Sequence, residues 1–375
     1  MTRAPLTTAL LAGLPLALAA CEVGPKDIQQ TGHRGTGMVQ LADRSNLPGP
    51  DRIPGETYRD IVLDPNNLGE PAGEFYENVQ VLGDLKTEEF NRLMIAITEW
   101  VSPEQGCNYC HNPENMASDE VYTKVVARKM IQMTRAINVN WKDHVKDTGV
   151  TCWTCHRGQP VPAHYWTTDP ESMARMGMRS RRGQNNPDAM PAVYSSLPYD
   201  PFTAYILEKD PSERRIRVSG TSAYPMPGMR RATLMDTEMT YGFMMHFSDS
   251  LGVNCTFCHN THSFSDWSGS TAQRAISWYG IRMVRDANEN YITPLTSVFP
   301  ASRLGPAGDP FKINCATCHQ GKNKPMGGYS MIREFPELAR LPVAAPAAVT
   351  PTTAAAPQPT DSAATAAVAV ATPAG

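Results

Sequence analysis

The chain has 375 residues, a formal net charge of -3, 41% hydrophobic residues and 19% charged ones. That length allows one large domain or two ordinary ones, and the near-neutral balance excludes the basic surface that nucleic-acid binding requires. Beyond the N-terminus no stretch approaches the ~20 apolar residues of a membrane span.

Residues 1–20 hold Arg3, a Leu/Ala-rich run and small residues before Cys21, and read as a secretory signal. Leu18-Ala19-Ala20-Cys21 is similar to the lipobox of bacterial lipoproteins, in which the cysteine is acylated and becomes the first mature residue. An ordinary export signal with a chance cysteine is the plainer alternative. A lipid chain adds about 0.8 kcal/mol of membrane affinity per buried CH₂, so two or more chains anchor stably. The expectation is a protein outside the cytoplasmic membrane, held by Cys21. Residues 21–86, rich in Pro, Gly and Asn, are expected to run extended along a partner surface.

A helix is predicted over "TEEFNRLMIAITEWV", with Thr87 as cap, Glu88 and Glu89 in the first turn, and Phe90, Met94, Ile97 and Val101 on one face. Pro103 and Gly106 stop it just before "CNYCH" (107–111). A second helix carries Val126, Met130, Met133 and Ile137 ahead of "CWTCH" (152–156). After a connecting segment, 166–230, the pattern returns: Met244, Phe247 and Leu251 on a helix before "CTFCH" (255–259), then Ile276, Gly280, Met283 and Ala287 before "CATCH" (315–319). The C-terminal tail, assigned to 331–375, is low-complexity from Val343 and expected to be disordered.

The nine cysteines are therefore fully placed: Cys21, and four C-x-x-C-H motifs. With nine Cys and nine His in 375 residues, chance gives about 0.005 such motifs per chain. Two thiols three positions apart can add to the two vinyl groups of a haem, and the adjacent histidine then ligates the iron. Zinc sites have no need of a histidine directly after each second cysteine. A redox dithiol has none either, and no cysteine is left for a disulfide framework. The motifs are c-type haem attachment sites, bonded through Cys107/Cys110, Cys152/Cys155, Cys255/Cys258 and Cys315/Cys318, with His111, His156, His259 and His319 as proximal ligands. Four haem c groups follow.

"TRAINVNW" (134–141) matches "VRDANENY" (284–291) at an offset of 150 and "CHRGQPVP" echoes "CHQGKNKP", so the fold expected is mainly α and irregular, in two pseudo-symmetric halves of two helix–turn–CxxCH units. The first pair spans 87–165 and the second 231–330. Met94 and Met244 hold equivalent places and are the distal ligands read for the first and third haems, ahead of Met245 and His246. On the second helix Met133, whose partner is Met283, gives four His/Met irons. Met130, whose partner is Gly280, leaves a vacancy at the fourth haem that His144 can fill. Most of the 19 methionines are core filler on either view. Arg274, Arg282 and Arg285 are candidates for pairing with haem carboxylates, or are ordinary salt-bridged arginines.

With its lipobox cysteine and its two-fold set of CxxCH sites, and in "DSLGVNCTFCHN", "QRAISWYGIRMVRDANENY" and "VTCWTCHRGQP", the chain resembles, over nearly its whole length, the tetrahaem cytochrome subunit of purple-bacterial reaction centres. The resemblance implies three His/Met irons with Met94, Met130 and Met244, and one His/His iron with His144 on the haem of Cys315/Cys318. It implies a non-enzymatic electron carrier on the periplasmic face of the photosynthetic membrane. A soluble periplasmic donor (a cytochrome c or a high-potential iron–sulfur protein) would supply electrons. The acceptor would be the photo-oxidised bacteriochlorophyll pair held by the L and M polypeptides, with the H polypeptide completing the reaction centre. Two rivals from other classes are a periplasmic multihaem reductase, which needs an iron with an open face, and a freely diffusing respiratory shuttle.

Overall fold

The computed structural model describes residues 26–30, 38–44, 49–54, 61–168, 200–207, 216, 218 and 233–341. The signal segment 1–20, Cys21, most of the connecting segment 166–230 and the low-complexity stretch from Val343 lie outside them.

An antiparallel hairpin opens the described chain: β1 (Lys26–Gln30) pairs with β2 (Val39–Asp43) in the register Lys26↔Asp43 to Gln30↔Val39. Helices and turns follow: α1 (Ala72–Phe75), α2 (Thr87–Val101), α3 (Tyr122–Asn140), α4 (Lys142–Val145), α5 (Cys152–His156), α6 (Pro201–Ile206), α7 (Leu234–Leu251), α8 (Ala272–Ala287) and α9 (Cys315–His319). A second two-residue ladder joins β3 (Tyr165–Trp166) to β4 (Lys312–Ile313).

Two apolar cores form. In the first, Leu93, Ala96 and Trp100 of α2 pack with Val81, Leu82, Leu85, Ile131, Trp153 and Phe335. Trp100 meets Phe335 edge-to-face at 4.8 Å, and burying one such side chain stabilises by about 1.5–3 kcal/mol. In the second, Met133 and Ile137 of α3 meet Phe202, Tyr205, Phe243, Met283 and Val284. Helix α3 thus presents different faces to the two cores.

Three expectations need correction. Residues 71–86 are not an extended strap: Ala72 N donates to Leu85 O at 2.7 Å and Gly73 N to Gly83 O at 3.3 Å, folding Val81, Leu82 and Leu85 into the first core. Residues 331–341 do not belong to the tail, because Met331, Phe335 and Leu338 are buried in that core. Thr87 does not cap α2. Its hydroxyl donates to Glu70 O at 2.8 Å, and the Glu89 carboxylate takes the Lys86 N–H at 3.0 Å.

The Asn pair at offset 150 has equivalent work, and both arginines of the Arg pair tie down backbone carbonyls. Asn138 exchanges two hydrogen bonds of 2.8 Å with the backbone of Val150 and donates to Leu338 O. Asn288 exchanges two of 2.9 Å with Ile313 and donates to Ile206 O. Val150 and Ile313 each stand two residues before a C-x-x-C-H cysteine, so these amides fix the chain where it enters α5 and α9. Arg135, fully buried, forks onto Asp84 at 3.0 Å and reaches Val81 O and Glu337 O. Arg285 donates through Nε and Nη2 to Tyr205 O.

Candidate haem sites

The four motifs come in two geometries. The first and third lie in 3₁₀ turns, Gly106–Tyr109 and Cys255–Phe257, with His111 N on Cys107 O at 3.0 Å and His259 N on Cys255 O at 2.9 Å. The second and fourth are single helical turns, α5 and α9. Each is entered by a capping box (Thr151/Thr154, Asn314/Thr317) and left through a left-handed residue and a glycine, Arg157-Gly158 and Gln320-Gly321. One helical turn puts residues three apart on one face, which aligns the two sulfurs and projects the histidine beside them.

Each proximal histidine is braced in one way. The Nδ1 of His111 meets Met116 O at 3.0 Å, that of His156 Gln159 O at 2.9 Å, that of His259 Phe264 O at 3.0 Å and that of His319 Lys322 O at 2.8 Å. A carbonyl takes a proton from Nδ1, which fixes the tautomer and leaves the Nε2 lone pair free, the arrangement of a metal-ligating imidazole. Burial also holds His156 and His319 below the ordinary imidazole pKa, His319 at about 4. The rings are therefore neutral and able to ligate. The sequence holds no sign of these braces, because any residue can offer a carbonyl.

His144, at the end of α4, carries the same brace, with Nδ1 on Ile276 O at 2.9 Å. Its ring lies edge-on to that of His319, with centroids 6.0 Å apart and planes 67° apart. Metal–imidazole bonds of about 2 Å on both sides of one iron fit that separation. Gly280 makes the approach possible: a Cβ there would stand 2.6 Å from His144 Cε1 and 2.8 Å from Nδ1.

Met94, Met130 and Met244 are partly buried at the margins of the cores, whereas Met133 and Met283 are buried inside the second core. His246 is a core residue, 4.7 Å from the Phe202 ring, stacked on Phe243 and held by burial at a pKa of about 3. Arg274 stacks over Trp267 and donates to Asp266 O, and Arg282 lies over Trp278.

Desolvation pushes the thiols of Cys152 and Cys315 up to about 12. Among the described residues no three His, Cys, Asp or Glu side chains converge to hold a bare metal ion. The donor set fits haem attached through thioethers.

The sites also have an order. Cys110 is an electrostatic neighbour of Cys152, and Gly158 N donates to Trp100 O at 2.9 Å, tying α5 to α2. Cys155 and Cys318 bring their Sγ atoms to 2.9 Å, so the second and fourth motifs adjoin. Gly321 N donates to Ser250 O at 2.8 Å, tying α9 to α7. Gly252, at φ 63°, ends α7 where a Cβ would lie 2.2 Å from Gly321 O, so only glycine fits.

CxxCH turns with carbonyl-braced histidines, on a mainly helical, irregular frame, define a c-type cytochrome. Residues 22–339 match the family described as the photosynthetic reaction centre cytochrome C subunit, and the chain belongs to it. It is 48% identical over 332 residues, 88% of each chain, to the photosynthetic reaction center cytochrome c subunit of Rubrivivax gelatinosus. The Thermochromatium tepidum subunit of the same name is 46% identical over 87% of this chain and 78% of its own. That of Roseobacter denitrificans is 42% identical over 83% and 85%. The chain therefore carries covalent haem c, associates with the reaction centre and its membrane, and serves photosynthetic electron transfer. Among the described residues no helix is long and apolar enough to cross a membrane.

Proposed function

We propose that the chain holds four haem c groups. His111, His156, His259 and His319 would each ligate one iron, and Met94, Met130, Met244 and His144 would supply the second protein ligand of each. The observation that carries this reading is the brace shared by five histidines, above all the pair His144 and His319 meeting across the space that Gly280 leaves open. Bound haem c supplies a one-electron couple. With two protein ligands on each iron the polypeptide would bar substrate from it, and would set each potential through ligand type, hydrogen bonding and burial. The chain is thus a carrier and not an enzyme.

The pairs lie over 87–165 and 231–330, joined by 166–230, as two related halves. The contacts between motifs support the order first, second, fourth, third. Electrons enter from a soluble periplasmic donor, either a cytochrome c or a high-potential iron–sulfur protein. They leave for the photo-oxidised bacteriochlorophyll pair between the L and M polypeptides, with the H polypeptide in the same complex. Acylated Cys21 holds the protein on the periplasmic face. The hairpin that follows Cys21 is clipped to the third site, with Asn254 N on Gln40 Oε1 at 2.9 Å and Asn254 Nδ2 on Val39 O at 3.0 Å. Val39 pairs with Gln30, nine residues after Cys21, and nine residues of chain reach at most ~32 Å, so the anchor keeps the third site within that distance of the membrane.

Carbon monoxide and cyanide test the carrier reading. Native reduced protein is expected to bind neither at any of its irons. Ready binding at one haem marks an open site and favours the reductase. Loss of the cytochrome from washed membranes without pigment favours the shuttle.

A further inference from the structure

Arg157 follows His156 directly, yet no mechanism above uses it. Its counterpart in the fourth motif is Gln320, a neutral side chain that donates to Thr317 O at 3.3 Å. One edge of the Arg157 guanidinium, Nε and Nη2, is buried without a hydrogen-bond partner among the described residues. The other edge, Nη1, stands 3.8 Å from Asp51 Oδ1. Asp51 is shared: its Oδ2 lies 2.6 Å from Lys322 Nζ, three residues past His319. Trp153, inside the second motif, holds this segment by donating Nε1 to Arg52 O at 3.1 Å. Two cations and one carboxylate thus sit against the place where the sulfurs of Cys155 and Cys318 meet, and both sulfurs are within electrostatic reach of Arg157.

We infer that Arg157 is a potential-setting residue: its half-buried charge raises the midpoint potentials of the second and fourth haems, and Asp51 limits the effect. This rests on the proposed haems at those two motifs. Arginine stays protonated throughout the working pH range. In a low-dielectric interior a nearby positive charge favours the reduced, less positive iron. The unpaired edge shows that no anion of the described residues cancels the charge on that side. The repeat supplies a built-in contrast, because the equivalent position in the other half is uncharged. The device thus acts at the junction of the halves, where electrons pass from one pair to the other.

The test is a redox titration of the intact reaction-centre complex with the four haem bands resolved, after intact-mass analysis establishes that four haems are attached. Arg157→Gln is expected to shift the second and fourth midpoints downward and leave the first and third unchanged. Arg157→Lys is expected to restore most of the shift. Asp51→Asn, which keeps the arginine, is expected to shift the same haems upward. Fully loaded Arg157→Gln protein with unshifted second and fourth midpoints overturns the proposal, as does an equal shift of all four. If Arg157→Gln does not load haem, Asp51→Asn decides: an upward shift supports the proposal and no shift overturns it. A wild-type protein without haem on Cys152/Cys155 or Cys315/Cys318 overturns the site assignment itself, a failure that the intact mass reveals as fewer than four haems and the masses of proteolytic fragments locate.

Discussion

Gly280→Ala places a single methyl group against the fourth site. The added carbon would lie 2.6 Å from His144 Cε1, 2.8 Å from Nδ1 and 3.1 Å from Nε2. Each of the first two is closer than unbonded atoms of these kinds approach, so the ring must move. Overpacking of this kind costs about 1–3 kcal/mol, and the strained His144–Ile276 hydrogen bond adds about 1 kcal/mol when lost. Alanine returns about 1 kcal/mol of helix propensity in α8, so the clash wins, with a net loss of about 1–3 kcal/mol. The larger effect is on ligation: displacing His144 from His319 would convert the proposed His/His iron to another ligand set. Low-spin ferric EPR and near-infrared bands, which separate His/His from His/Met irons, give the assay. The wild type is expected to show one His/His iron and the variant none. Adding His144→Ala should cancel the steric part of the stability loss, since the two changes share one contact. A Gly280→Ala protein with an intact His/His signal and undiminished stability would refute the reasoning.

Other outcomes follow from the same contacts. Asn288→Ala strips partners from three buried backbone groups at about 1–3 kcal/mol each before relaxation. It should deplete haem on Cys315/Cys318 selectively, as haem staining of proteolytic fragments will show. Lys124 donates from Nζ to Met116 O, Ala117 O and Ser118 O, and Met116 O also braces His111. Lys124→Met is therefore expected to lower the midpoint of the first haem alone in a redox titration. His246→Phe is expected to leave the ligation of every iron unchanged by EPR, because His246 packs as a core ring. The Asp119 carboxyl, hydrogen-bonded by Arg128 and Lys124, is held at about 2 against an ordinary 3.8. The stabilisation it gives is complete above pH 3.8 and fades as pH falls through about 2. Asp119→Asn should remove that acid sensitivity from a thermal-melt series.

The legible part of this protein was its chemistry. Eight cysteines and four histidines name their cofactor by spacing alone, and the Met130/Gly280 mismatch at offset 150 marks the place where the His144 ring packs. The Arg135/Arg285 and Asn138/Asn288 pairs were visible as repeats, but their work was not. Each acts on backbone carbonyls from distant segments, and a carbonyl leaves no trace in the identity of a residue. The stripe expected on α2 was displaced for a related reason. Leu93, Ala96 and Trp100 face the protein core, while Phe90, Met94, Ile97 and Val101 are only partly buried beside it, and amphipathic periodicity does not distinguish a protein face from a cofactor face. Residues 71–86 and 331–341 escaped because short turns bury apolar side chains without any period.

Flash spectroscopy on isolated membranes tests the central claim most directly. After one flash, re-reduction of the oxidised bacteriochlorophyll pair is expected to coincide in time with oxidation of a haem in this cytochrome, and the haem then to recover by electron supply from a soluble donor. Re-reduction of the pair with every haem of the cytochrome staying reduced would contradict the account.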